Sequence, residues 1–158
     1  MNQKATSHLA RYIDTGLKAG LFNQKDLIKW ADDFIVKSTD PDRIYIELSL
    51  SEGKNIQYTI DALNEFLEAN EPQPEAKYFF SVLQEKYFAG QFSCDDAMLI
   101  LYRLIFTTKM SELEERSIRK IDSISWAFEE FYGKDNPQDA VEAFLKLYSD
   151  IEVPYPIF

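Results

Sequence analysis

Five glycines and six prolines punctuate this chain of 158 residues, and most fall between stretches whose apolar residues repeat at helical spacing. A chain cut this way has few routes to a sheet. Apolar residues at i, i+3, i+4 and i+7 make one buried stripe on a helix, whereas a half-buried strand needs strict alternation. Leu9, Tyr12, Ile13, Gly16 and Leu17 keep the helical spacing and predict a first helix over 6–19. Gly20 is placed to end it in the left-handed conformation that only glycine adopts cheaply. Asn23 can cap a second helix, because its side-chain oxygen can accept a free backbone N–H. There Leu27, Trp30, Ala31, Phe34 and Ile35 form the inward stripe, and Ser38, Thr39, Asp40 and Pro41 stop it.

The segment 44–51, IYIELSLS, is ambiguous. Ile44, Ile46, Leu48 and Leu50 alternate with polar or aromatic residues as in a strand. Asp40-Pro41, however, reads as a cap followed by proline at the first helical position. No other run alternates well enough to pair with a strand, which would leave backbone groups unsatisfied. A short helix is therefore expected. Further on, a helix is predicted over about 55–69, with Ile56, Ile60, Leu63, Phe66 and Leu67 inward. Another covers about 75–89 and ends at Gly90, and one capped by Ser93 runs to about Thr107. Ser111 and Glu114 have capping-box spacing and open the segment 111–132, as one long helix or two. Pro137 opens the last helix, with Ala140, Val141, Phe144, Leu145 and Tyr148 inward. The tail 152–158, EVPYPIF, has two prolines and is expected to be non-helical but apolar enough to dock.

The expected fold is all-α: an antiparallel bundle or short helical-repeat stack of seven or eight helices, in a single domain over 1–158. Segments 6–37 and 76–107 read as a pseudo-repeat. Ala19-Gly20-Leu21-Phe22-Asn23 with Asp26 recurs as Ala89-Gly90-Gln91-Phe92-Ser93 with Asp96. Two related hairpins in a solenoid-like stack would give this pattern, and so would any two helix–glycine–cap–helix turns.

Motifs for chemistry are missing. There is no GxGxxG and no GxxxxGK[ST] to cradle a phosphate. His8 is the only histidine, so the paired Glu-x-x-His of a di-iron bundle cannot be built. Asp40-Pro41-Asp42 does not continue as a calcium loop. Glu112 to Glu115 gives the ExxE of helical nucleotide pyrophosphohydrolases, but the later ExxD is missing. The lone Cys94 excludes an internal disulfide. It follows a helix cap, which would lower its pKa, but Asp95 and Asp96 oppose that. Cys94, Trp30 and Trp126 are therefore read as packing residues, and His8 as an exposed residue with no evident carboxylate partner. No cofactor, metal or small-molecule substrate is expected, and neither is an enzyme. Residues 1–10 lack the apolar stretch of a signal peptide. The most apolar run, 97–106, is about half the ~20 residues needed to span a bilayer and contains Arg103. No membrane partner and a cytoplasmic location are expected.

Seventeen basic against 27 acidic residues give a net charge of −10, which argues against nucleic-acid binding. The acidity is uneven. Residues 38–76 carry two basic and nine acidic groups, and residues 111–158 carry five and eleven. Asp61, Glu65 and Glu68 fall at i, i+4 and i+7, one stripe on the predicted helix. Such a stripe is either a solvated face or a docking surface that steers a basic protein. On the second reading the docking acids are Asp40, Asp42, Glu47, Asp61, Glu65 and Glu68. Glu47 could instead be a buried, paired carboxylate within the hairpin.

Trp30-Ala31-Asp32, then Pro41, then Ile46-Glu47-Leu48-Ser49-Leu50-Ser51 resembles a pattern of small helical bacterial proteins. These are the immunity proteins of contact-dependent growth inhibition and related polymorphic toxin systems. The resemblance covers 25 residues, 29–53. It implies a protein that binds and occludes a cognate basic toxin domain, a nuclease with RNase favoured. It carries no catalytic residue, and its motif residues are of the kind that build a helical hairpin. The alternative is a helical-repeat adaptor that holds a peptide or partner helix in a groove.

Overall fold

A computed structural model describes residues 2–131 and 133–158. It is all-α. The described residues form eight helices: α1 Gln3–Ala19, α2 Gln24–Lys37, α3 Arg43–Ser49, α4 Ile56–Asn64, α5 Ala76–Phe88, α6 Cys94–Thr107, α7 Glu112–Phe131 and α8 Pro137–Lys146. The segment from Ser111 is a single helix as far as Phe131, and its expected end at Tyr132 lies outside the described residues. No helix of the described residues is long and apolar enough to cross a membrane.

Contacts group the chain into two compact units, Met1–Pro74 with Tyr155–Phe158, and Glu75–Pro154. In the first, α1 packs on α4, and α3 packs on both α2 and α4. Leu9, Tyr12, Ile13 and Leu17 of α1 are buried together with Leu27 and Ala31 of α2 and Ile44 and Leu48 of α3. An aromatic chain runs through this core. The Phe22 ring lies 5.0 Å from Tyr12 and 5.1 Å from Phe158, centroid to centroid. Phe158 meets Trp30 edge-on at 4.9 Å, and Trp30 meets Tyr45 at 5.0 Å. The non-helical tail is therefore docked. Tyr155 stacks on Tyr12 at 4.4 Å, and the Tyr12 hydroxyl donates to the Pro156 carbonyl at 3.3 Å.

In the second unit α5, α6 and α8 pack on one another, and α7 lies against α6 and α8. Phe80 packs edge-on against Phe144 at 5.1 Å and tilted on Tyr148 at 4.9 Å. The glycine turns of the two units match. Gly20 and Gly90 are left-handed, with φ of 82° and 79°. Leu21 N–H donates to the Gly16 carbonyl, and Gln91 N–H donates to Lys86 in the same register, both at 2.9 Å. Ser93 and Asp96 make the reciprocal capping box, and Ser111 and Glu114 make another.

Several expectations are corrected. Asp40-Pro41 does not start α3. Asp42 is its N-cap, and the chain through 38–42 stays outside the helix. The segment 44–51 is helical through Ser49, which leaves Ile46 and Leu50 outward while Ile44, Tyr45 and Leu48 are buried. Helix α4 ends at Asn64, five residues short of the predicted 69. Asp61, Glu65 and Glu68 are therefore not one helical stripe. The reason is tertiary capture: the buried Ser7 hydroxyl of α1 accepts the Glu68 N–H at 2.9 Å, drawing the chain off the helical path. Ile56 is exposed rather than inward. Phe34 is also exposed, its ring stacked on Tyr45 at 3.8 Å. Trp126, read as a packing residue, is 60% exposed.

Gly16 is the tightest joint in the first unit. A β-carbon there would fall inside the van der Waals surface of the Phe22 ring, which is held between Tyr12 and Phe158 and cannot retreat. Gly16→Ala is therefore expected to destabilise the protein by about 1–3 kcal/mol through overpacking, although alanine is the better helix former. Equilibrium chemical denaturation against the parent chain measures it.

Candidate functional site

The motif residues come together at the α2–α3 hairpin. The Ser49 hydroxyl donates to Asp32 Oδ1 at 2.5 Å, and Ala31 is fully buried. This bond fixes the rotation of α3 on α2. With Leu48 turned into the core, the outward face of α3 presents Arg43, Ile46, Glu47 and Leu50. Residues four apart share a helix face.

Beside that face lies a concavity of about 320 Å³, bordered by Gln3 and Thr6 of α1, Asp42 and Arg43, and Glu65 and Glu68. Three of the six expected docking acids, Asp42, Glu65 and Glu68, share this opening. Arg43 organises it. Its Nη2 donates to Glu65 Oε2 at 2.7 Å, its Nε donates to Glu47 Oε1 at 3.3 Å, and its guanidinium lies 5.5 Å from the centre of the Phe66 ring. Glu47 is thus paired and adjacent to the concavity, but with 26% of its side chain exposed it is not a buried carboxylate. Arg43 is 65% exposed, and ion pairs in water of this kind contribute at most about 1 kcal/mol. They can exchange partners at little cost. Asp40 and Asp61 do not line the opening. Asp40 is exposed in the preceding loop, and Asp61 accepts from Gln57 Nε2 at 2.8 Å on α4.

A second constellation escaped sequence reading. The Glu71 side chain is only 2% exposed, and its carboxylate accepts from the Ser7 hydroxyl at 2.5 Å and from His8 Nδ1. His8 therefore has the carboxylate partner it was expected to lack. The contact spans more than sixty residues of sequence, so no local pattern announces it. A carboxylate that orients a histidine is also the posture of a general base. Here, however, Ser7 donates to Glu71 rather than to His8, so the hydroxyl is not activated by the ring. The cluster acts as a clamp that holds the 65–71 loop, and with it Glu65 and Glu68, against α1.

In the second unit, burial pushes the Cys94 thiol up from its ordinary value, and the charges of Asp95 and Glu142 add to the shift. That is the opposite of an activated nucleophile. Among the described residues, no group of three or more histidine, cysteine or acidic side chains is arranged to hold a metal ion. The two acidic stretches of sequence fall largely in different units. Residues up to Pro74 belong to the first, which carries eight basic and twelve acidic residues, and the second carries nine and fifteen.

No protein-family model, curated protein or solved structure matches the chain.

The clamp makes a prediction about stability. Ser7→Ala removes a hydroxyl that serves Glu68 N–H and Glu71 together and leaves a buried carboxylate oxygen short of a donor. A loss of about 1–3 kcal/mol is expected. Denaturant titration reads the loss, and hydrogen exchange should show the amide of Glu68 among those most accelerated.

Proposed function

We propose that this chain is an immunity protein. It binds a cognate basic toxin domain, a nuclease with RNase favoured, and covers its active cleft. The observation that carries the reading is the opening around Arg43. Asp42, Glu65 and Glu68 border one concavity, and Ile46 and Leu50 stand exposed on the adjoining face of α3. The resemblance of residues 29–53 to immunity proteins supports it from the sequence side.

A nuclease cleft is built to hold phosphates, so it presents lysines and arginines at short spacing. Carboxylates at matching spacing can occupy those positions without being cleaved. Acidic surfaces also steer a basic partner and raise the rate of association. Glu65 and Glu47 can exchange Arg43 for the partner's cations, since their present pairs lie in water. The apolar side chains Ile46 and Leu50 then supply buried area, which charge alone does not. Inhibition is steric: no group on this chain needs to react. The site of action would be the cytoplasm, where the toxin domain meets its substrate.

Cells expressing the C-terminal toxin domain encoded directly upstream of this gene should grow when this chain is co-expressed. Continued growth arrest would remove the reading. In stopped-flow mixing, Glu65→Lys with Glu68→Lys should slow association by about tenfold or more, and raised salt should slow the parent. Asp61→Lys, away from the concavity, should have a much smaller effect. Salt-insensitive association with a harmless double variant would contradict the acidic docking surface.

A further inference from the structure

Residues 155–158 belong to the first unit, although the eighty residues before them, Glu75–Pro154, make up the second. The segment and the slot that it fills therefore lie in the same unit. The segment is not helical, and Pro154 and Pro156 have no N–H to give to a helix or a sheet. Aromatic rings anchor it. Tyr155 stacks on Tyr12 at 4.4 Å, and Phe158 meets Phe22 at 5.1 Å and Trp30 at 4.9 Å, both edge-on. The Tyr12 hydroxyl donates to the Pro156 carbonyl at 3.3 Å. The two anchors are three residues apart, and three residues make one turn of an extended polyproline helix. Both rings accordingly meet the slot, while Ile157 beside them is 47% exposed.

The slot has supports of its own. The Phe22 ring lies flush on Gly16 and against Tyr12, and Trp30 rests on Tyr45 at 5.0 Å. Tyr12 is set by α1, whose Leu9, Ile13 and Leu17 are buried in the same core. Lifting the segment away would uncover three rings without removing what positions them. Aromatic-lined grooves take proline-containing segments in this way, at low ordering cost. The consequence falls on α3. It has seven residues, too few for a helix to be stable alone, and its Tyr45 bears on Trp30. Phe158 presses on the other contact surface of that same Trp30 ring system. Seating of the segment is thus passed to α3 through one side chain.

We propose that residues 155–158 are a strap. The strap can leave the Tyr12–Phe22–Trp30 slot while the longer helices stay folded, and its seating sets the order of α3. With the strap seated, the face of α3 that carries Ile46 and Leu50 is firm. With the strap released, Trp30 loses the ring that braces it, and α3 opens as a local unit. As a control on toxin binding the device rests on the immunity reading. As a property of the free chain it does not.

Hydrogen exchange on the free chain tests the strap, with no toxin present. Tyr155→Ala with Phe158→Ala removes both anchors. Amides of residues 44–50 should then exchange about tenfold faster or more, while those in the middle of α1 and α2 keep their parental rates. A synthetic peptide with the sequence of 152–158, EVPYPIF, is the probe for the vacated slot. Added in excess to the double variant, it should restore the slow exchange of 44–50. The chain has two tryptophans, so Trp126→Phe in the same background leaves Trp30 as the reporter. Its emission should shift to the blue and saturate with the peptide, and a peptide with alanine in place of both aromatic residues should leave it unchanged. Acceleration of α1 and α2 together with α3, or loss of the fold in the double variant, would overturn the proposal by making the segment ordinary core. Parental exchange of 44–50 in the double variant would overturn it too, as would a peptide that restores nothing.

Discussion

The close approach of α1 to the Phe22 ring is the constraint on which the first unit depends. Gly16 has no side chain, so the ring can lie flush on the helix while its carbonyl accepts both Leu21 and Phe22 N–H groups. Phe22 then becomes the middle of an aromatic series, with Tyr12 on one side and Phe158 on the other. Phe158 leans on Trp30, and Trp30 leans on Tyr45 of α3. A two-turn helix such as α3 has little stability of its own. It holds because its buried face completes this series and because Ser49 is bonded to Asp32. The outward face of α3 is presented rigidly for the same reasons.

On the proposed reading, that rigidity would let the opening around Arg43 meet a partner already formed. The surface has two kinds of charge pair with different consequences. Glu71 is enclosed and held by Ser7 and His8, so it serves position rather than binding. Glu65 and Arg43 meet in water, where the pair contributes little and yields readily to a better partner. On the proposed reading, a buried clamp behind an exposed, exchangeable ion pair would keep carboxylates in place before a partner arrives and reduce the ordering that binding would otherwise require.

Much of the fold was legible in the sequence, because helix ends are local chemistry. Gly20, Gly90, Asn23, Ser93 and the Ser111–Glu114 box act within four residues of themselves, and each stands where its side chain or its missing side chain predicts. All five residues that periodicity placed inward on α1 are buried, but so are Ala10 and Ala19 and the polar Ser7, Asp14 and Thr15, which it did not name. It failed where a distant group competes with the helix. Residues 65–69 have helical character, yet Ser7, some sixty positions away, takes the Glu68 N–H, and Ser7 and His8 together hold Glu71 just beyond the segment. The acid stripe on α4 was lost with them. Half of the candidate acids still share one opening, through a turn and a neighbouring helix rather than through helical spacing. Arg43, which ties Glu47 to Glu65, could not be singled out beforehand, since its second partner is 22 residues away. The exposure of Ile46 and Leu50 could have been read. Once 44–51 is taken as helix, burial of Ile44 and Leu48 forces the intervening pair outward.

The central claim is that α3 and the turn after α4 form the surface that meets a basic toxin domain. Hydrogen–deuterium exchange of this chain, free and saturated with that domain, tests it most directly. Residues 42–50 and 64–68 are predicted to exchange more slowly in the complex than in the free chain. Unchanged exchange in both segments, with protection confined to other parts of the chain, would contradict the account.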